Sequence, residues 1–422
     1  MKILWIVNKV CGALHKKLTG KNATGGLWLE AMIERAQGDK DLDIVIVNVG
    51  GVEKTRCFED GNIKYYTIPG IGTEQYDYKS AEAHQYWREI INQEKPELIE
   101  LWGTEIPYGL AALPEAEGIP AVIYVQGILE SIGRYYTAGM SKEELRNATT
   151  IRDYIAGGTI LKKQAEYLER SDYEAQIAKM AKRIIIENLW SEGYYRKMCP
   201  EVKVYKCPLC ISQEFEKAAW SLSSMKKHTI MCPAANYPIK GLHMLLKALA
   251  IVKERYPDVK LFIPGTPLRN ISTLKERFKQ NGYEKFVRNQ ISELGLGDCI
   301  EYTGRLTAAE MAEKMAQSNC FVMSSAIENH SSTLKEAMTV GVPCVASYVG
   351  GVPEYATSES NCLLYRFEDY EVMALQIMRL FESDDLCEKL SVNARNDMAE
   401  SKRKNDFYLI SKEIYKTIIN EK

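Results

Sequence analysis

Strand-like and helix-like segments alternate along almost the whole chain, and nothing else in the sequence constrains the fold as much. In the first half the candidate strands fall at 3–7, 44–49, 64–68, 98–102, 121–125, 183–187 and 203–206. Helical patterns lie between them at 28–36, 80–93, 108–117, about 150–182 and 191–198. Short apolar runs bounded by turn residues read as buried strands, and amphipathic stretches read as helices covering a sheet face. Regular alternation of the two predicts a doubly wound, mostly parallel sheet. Residues 209–227, polar and small around Trp220, read as a connector. The pattern then restarts with strand 229–232, helix 242–255, strand 260–263, helices within 274–294, strand 299–302 and helix 308–317. Two α/β halves are therefore expected. The last helical stretch, 406–419, puts Phe407, Ile410, Ile414 and Ile418 on one stripe, the spacing of an amphipathic helix.

Composition agrees and excludes several classes. At 422 residues the length suits about two to three domains. Hydrophobic residues at 46% and charged residues at 26% are those of a soluble globular protein able to bury two cores. The net charge of −2 carries no global nucleic-acid or membrane signature. No apolar run approaches the roughly 18 residues that span a bilayer. The opening 1–7 is too short for a signal-peptide core and lacks a small-residue cleavage site, so it reads as a first strand. Eleven cysteines, an odd number scattered through predicted elements, fit reduced thiols in a cytoplasm rather than a disulfide framework. Cys207-Pro208-Leu209-Cys210 has redox spacing, but without a second pair and at a strand end the structural reading is preferred.

The chemistry concentrates in residues 318–354. Residues 320–323 read as a buried strand, 324–332 as a loop, 333–340 as a helix and 342–347 as a second strand. Glu328 then lies on the loop after a strand, and Glu336, eight residues on, on the first helical turn. Ligands of open parallel sheets bind at such strand ends, and a helix N-terminus attracts anions such as phosphate. A carboxylate on each side of that terminus suits a phosphate flanked by hydroxyls, which describes a sugar nucleotide. Alternatively, Thr333-Leu334-Lys335-Glu336 fits a capping box. That alternative leaves Glu328, Asn329 and Gly350-Gly351 unexplained.

The glutamate pair, the Glu336-Ala337-Met338 helix, the strand Gly341-Val342-Pro343-Cys344-Val345, the turn Gly350-Gly351-Val352-Pro353-Glu354 and Asn361-Cys362-Leu363-Leu364 occur in that order. Together they resemble the Glu-x7-Glu signature of family-4 retaining glycosyltransferases of the GT-B architecture, and the resemblance extends to Lys240-Gly241 and over the N-terminal half. It implies two Rossmann-like, doubly wound domains facing a cleft. The acceptor-binding domain would span 1–208, with 405–422 crossing back onto it, and the nucleotide-sugar domain 209–404. The implied partners are a nucleotide-diphosphate sugar and a glycan or lipid-linked acceptor, with no nucleic acid. The implied setting is bacterial surface polysaccharide synthesis, in the cytoplasm or at the inner face of the membrane as a peripheral protein.

By the same resemblance Glu336 holds the ribose hydroxyls, Glu328 contacts the sugar and steadies its oxocarbenium-like centre, and Lys240 neutralises the leaving diphosphate. Asn329, His330, Ser331 and Ser332 line the donor. Gly26, of Gly25-Gly26, lets backbone approach the donor or acceptor, although Gly-Gly also makes simple turns. The chain departs from the pattern twice. The family carries an arginine about five residues before the lysine, where this chain has Ala235-Asn236-Tyr237-Pro238, so Arg305 becomes a substitute candidate. Gln126 stands where many relatives have a histidine; it can hydrogen-bond a hydroxyl but not serve as acid or base. Glu105, after the strand 98–102, either binds acceptor hydroxyls or caps the next helix. The loop 8–24 carries Lys9, His15, Lys16, Lys17 and Lys21, which would meet a phosphate-bearing acceptor or simply face water. No Asp-x-Asp triplet ends a predicted strand, so no metal and no other cofactor is expected. The alternatives are a non-catalytic sugar-nucleotide-binding homologue or partner subunit, and a GT-B epimerase or phosphorylase. Gly70-Ile71-Gly72 lacks the third glycine of a dinucleotide-binding fingerprint.

Overall fold

The computed structural model describes residues 1–8, 27–208, 211–233, 235–268, 273 and 278–421. They form two compact units. The first comprises Met1–Glu130, Glu169–Cys210 and Asn405–Lys422, and the second Ser131–Leu168 and Ile211–Lys404.

Among the described residues, eight strands make the first unit's sheet: β1 (Lys2–Val7), β2 (Asp43–Gly50), β3 (Arg56–Asp60), β4 (Ile63–Pro69), β5 (Leu98–Trp102), β6 (Ala121–Tyr124), β7 (Arg183–Ile186) and β8 (Lys203–Lys206). Their order is β3-β4-β2-β1-β5-β6-β7-β8. The pairings are parallel except that of β3 with β4. The period of two decides why β1 is apolar throughout. Ile3, Trp5 and Val7 enter one core with Leu98, Trp102 and Tyr124, while Leu4 and Ile6 enter the other with Ile99, Leu101 and Ile123. A strand covered on both faces has no solvent side to encode. The exception, β3, was not anticipated. It is an exposed edge strand carrying Arg56, Glu59 and Asp60, charges that discourage further pairing.

The final helix, Phe407–Asn420, packs on the face bearing Trp5 and Trp102. Its buried stripe is turned from the expected one. Tyr408, Ile414, Tyr415 and Ile418 are buried, and Phe407 and Ile410 lie at the margin. Each large side chain buried this way contributes about 1.5–3 kcal/mol, which fixes 405–420 in the first unit. The Tyr415 hydroxyl donates to Glu100 in the middle of β5 at 2.5 Å. Glu100 is fully buried, and burial pushes its carboxyl up to about 8.

The second unit holds β9 (Lys226–Met231), β10 (Lys260–Pro264), β11 (Ile300–Gly304), β12 (Ser318–Met323), β13 (Cys344–Ser347) and β14 (Leu363–Tyr365). Their order is β11-β10-β9-β12-β13-β14, all parallel. Part of the expected connector belongs to this core, and its strand starts at Lys226 rather than at 229. Trp220 is buried, with its indole N–H donating to the Ser318 carbonyl at 2.8 Å. Residues 131–168, placed by the sequence in the N-terminal domain, also pack here. The buried His243 ring meets the Ala138 carbonyl at 2.9 Å. Lys247 pairs with Glu144 at 2.8 Å. A side chain at Gly282 would stand 1.9 Å from the Ala148 carbonyl oxygen. These contacts join residues more than a hundred apart in sequence, which no local pattern encodes.

Candidate active site

In the second sheet the chain runs outward from β9 through β10 to β11, then returns to β12 on the other side of β9. Loops leaving β9 and β12 therefore diverge, which makes the ends of these strands a topological switch point. Backbone bonds fasten the two loops first. The Ala326 amide donates to the Ile239 carbonyl at 2.7 Å, and the Ser324 hydroxyl to the Lys240 carbonyl at 3.0 Å. Gly241 allows this contact. Its φ is +69°, and a Cβ there would stand 1.7 Å from the Ser324 carbonyl oxygen.

Lys240 is thereby set against Glu328, with Nζ to Oε1 at 2.6 Å. The hydroxyl of Ser325, itself fully buried, donates to the same oxygen at 2.6 Å. Ser347, at the end of β13, donates to the Ser325 carbonyl at 2.6 Å. The Gly351 amide donates to the Glu328 carbonyl at 3.1 Å. Gly350 has φ +52°, and a Cβ there would come within 1.8 Å of the Glu328 carbonyl oxygen. The Gly350-Gly351 pair thus holds the Glu328 loop in place by close backbone packing. Burial pulls the Lys240 ammonium down, but the facing Glu328 carboxylate more than offsets it, so the lysine lies above its ordinary range and stays charged.

The following helix is Ser332–Val340, which buries Leu334, Ala337, Met338 and Val340. Its cap is Ser331, whose hydroxyl accepts the Leu334 amide at 3.4 Å. The capping box that is the alternative reading of 333–336 does not form, and Glu336 sits on the second helical turn rather than the first, because the helix begins at Ser332 with Ser331 as its cap. Glu336 is half-buried, and its carboxylate makes no hydrogen bond or ion pair with any described residue. Burial alone pushes it up to about 7. Asn329, His330 and Ser332 are half-buried around the helix start. The His330 ring lies 5.3 Å from that of Tyr355, over which Lys335 sits at 4.8 Å. Arg305 is exposed after the edge strand β11, separated from β9 by β10. Gly26 and the lysines at 9, 16, 17 and 21 lie outside the described residues, as does Cys210.

The first sheet has its own switch point, between β1 and β5. Glu105, after β5, accepts from the Asn8 side-chain amide at 2.7 Å and from the Gly127 backbone amide at 2.9 Å. It does not cap the next helix, whose cap position is Pro107. Arg170 donates to the Glu105 carbonyl. Beneath it Glu174 is fully buried and accepts from the Thr104 hydroxyl at 2.7 Å, the Leu129 amide at 2.9 Å and the Tyr195 hydroxyl at 3.3 Å. Burial pushes Glu174 up to about 8. Gln126, next to Gly127, is half-buried.

Residues 212–397 match the family model described as glycosyl transferases group 1. Residues 212–397 are a group 1 glycosyltransferase domain. A curated relative, the MMP alpha-(1->4)-mannosyltransferase of Mycolicibacterium hassiacum, is 28% identical over 178 residues. That match covers 42% of this chain and 39% of the relative, so the chain spans about two-fifths of that protein's length. Solved structures share the fold over the whole chain. The sucrose-phosphate synthase of Thermosynechococcus elongatus superposes with a TM-score of 0.73 at 16% identity, covering 100% of both chains. Anabaena HepE in complex with UDP-glucose superposes at 0.63 and 17% identity, covering 99% of both. The fold is the two-domain GT-B architecture.

The glycosyltransferase domain contains Lys240, Arg305, Glu328 to Ser332 and Glu336. Sequence reasoning missed Ser325, Ser347 and Tyr355, which brace Glu328 and the helix start. Only the Ser324-Ser325 pair, polar at the mouth of an apolar strand, carried a signal. Asn8 and Glu174 in the first unit were also missed, since a single polar residue at a strand end or in a helix carries no spacing to read.

Proposed function

We propose that this chain is a retaining glycosyltransferase that moves a hexose-type sugar from a nucleotide-diphosphate sugar to a glycan or lipid-linked acceptor in surface polysaccharide synthesis. One observation carries the reading. A half-buried carboxylate without a described partner, Glu336, follows by eight residues a glutamate paired with lysine at a switch point. An acceptor removed from water and left unpaired is costly, and a ribose diol supplies the donors it lacks. The likeness to a structure holding UDP-glucose supports a nucleotide-sugar ligand.

In this reading Lys240 turns from Glu328 to the diphosphate, aided by amides at 329–332. Glu328, still held by Ser325, faces the sugar. The bond between the anomeric carbon and the diphosphate oxygen breaks, and the acceptor oxygen bonds to the same face. The acceptor's proton passes to the departing phosphate. Positioning and charge stabilisation carry the rate, without a protein nucleophile. The diphosphate charge falls to Lys240 and the amides, with Arg305 the candidate second cation, so turnover should survive a chelator. Titration with a panel of nucleotide-diphosphate sugars, followed by hydrolysis and transfer assays with and without chelator, tests the reading. Product of retained configuration supports it, whereas an inverted product or the absence of any nucleotide-sugar binding overturns it.

The second reading is a non-catalytic sugar-nucleotide-binding homologue. The quenching of Lys240 by Glu328, together with Ala235-Asn236 where relatives carry an arginine, favours it. Binding without hydrolysis or transfer to any acceptor would decide for it.

A further inference from the structure

Sixteen large apolar side chains are exposed among the described residues, and six of them fall within 131–168. The sharpest group is on the helix Ile151–Ala156, where Ile151, Tyr154 and Ile155 are 69%, 75% and 81% exposed. Their i, i+3, i+4 spacing puts them on one face. The opposite side ties the helix down. Asp153 is buried and accepts from the Thr150 amide at 2.8 Å and hydroxyl at 2.7 Å, and Arg152 donates to the Lys279 carbonyl at 2.8 Å. Gly157 then ends the helix in the left-handed region at φ +66°. Leu161, 56% exposed, opens the next one. The apolar face is thus presented by a well-capped element.

Exposed charge in the same segment is mostly of one sign. Within 131–168 the exposed charged residues are Arg134, Lys142, Arg146, Arg152 and Lys162 against Glu143 alone. The remaining acids are occupied, Glu144 by Lys247 at 2.8 Å, Glu166 by Lys163 at 2.8 Å, and Asp153 by its own cap. A chain of net charge −2 therefore carries an excess of exposed cations in the same segment as its most exposed apolar helix face. An exposed apolar helix face in a segment rich in exposed cations fits an anionic bilayer surface, where apolar side chains enter the headgroup boundary and cations meet lipid phosphates. No described helix is long and apolar enough to cross a membrane, so the contact is with the surface.

We infer that the 151–162 segment docks this protein on an anionic lipid bilayer. The inference concerns binding alone and stands apart from the reaction proposed above. The test is co-sedimentation of the full chain with mixed phosphatidylglycerol–phosphatidylcholine vesicles and with pure phosphatidylcholine vesicles, at low and high salt, without nucleotide sugar. Binding should appear with the anionic vesicles, fall with salt, and be much lower on pure phosphatidylcholine. Ile155→Asp and Tyr154→Asp should each weaken it by roughly tenfold or more, and Lys162→Glu by roughly fivefold. All three positions are exposed, so thermal unfolding should match the unsubstituted protein. Absence of binding to anionic vesicles overturns the inference, as does binding indifferent to these substitutions. Concentration-dependent self-association abolished by Ile155→Asp, without lipid binding, overturns it in favour of an interface between copies.

Discussion

The two switch points share a topology and differ in what their carboxylates do. After β5, Glu105 spends both oxygens on Asn8 and Gly127, and Glu174 beneath it is enclosed by three donors. These acids hold loops in place. After β12, Glu328 shares one oxygen between Lys240 and Ser325, and Glu336 makes no bond to a described residue. The fold supplies a place where loops part. Whether a carboxylate there is consumed internally or presented outward decides if the place is a brace or a binding site.

The comparison breaks most sharply at Lys240. Lys240→Ala should lower kcat by about a hundredfold to a thousandfold, as loss of one preorganised charge at a leaving group does. Arg305→Ala should add a further loss if Arg305 is the second cation. Rates of the single and double variants with an identified donor measure both, and an unaffected Lys240→Ala protein removes the proposed diphosphate site.

Glu336→Ala should weaken nucleotide binding roughly tenfold to a hundredfold with the fold intact. The unsubstituted site should also respond to pH. Its folded carboxyl titrates near about 7, and the ionised form is the better acceptor of two hydroxyls. Affinity should therefore rise from about pH 6 to 8, while the unliganded protein loses stability as pH rises from the ordinary carboxylate range through about 7 and no further above it, because the folded state holds the proton more tightly. Calorimetry across pH checks both, and an unchanged affinity in the alanine variant reduces Glu336 to a surface residue.

At the braced site the loss should be one of stability. Glu105→Ala leaves the Gly127 and Asn8 amides without their acceptor and should cost about 1–3 kcal/mol, with nucleotide affinity unchanged. Denaturant melts and nucleotide titration separate the two. A stable variant that loses only acceptor turnover would move Glu105 from brace to ligand.

The smallest effect tests the acid beneath the final helix. Glu100 is pushed up to about 8 by burial, so its contribution is present below the ordinary carboxylate range and declines as pH rises toward 8. Glu100→Gln should flatten part of that decline while keeping a partner for Tyr415. Unfolding midpoints from about pH 5 to 8 read the slope, and an unaltered slope would mean that Glu100 does not carry it.

The α/β class was legible because β1, β5 and β12 are apolar throughout and alternate with helices. The edge strand β3 was not, since its charged residues carry no strand period, and the packing of 131–168 rests on His243, Lys247 and Gly282 meeting residues a hundred positions away. At the candidate site Glu328 and Glu336 were singled out by their spacing and Lys240 by the resemblance, whereas Ser325 had only its place beside Ser324 at a strand end and Ser347 carried no signal.

What the sequence by itself determined is the alternation, the buried strands and the residue types offered at strand ends. All of these follow from local period and side-chain chemistry. The tertiary structure decided the partners. It closed Glu105 onto Asn8 and Gly127, set Lys240 on Glu328 through Gly241, took the helix cap from Ser331, and left Glu336 without a partner among the described residues. Hydrogen bonds and ion pairs act over a few ångströms, and which groups come that close is set by strand order and loop packing rather than by separation along the chain.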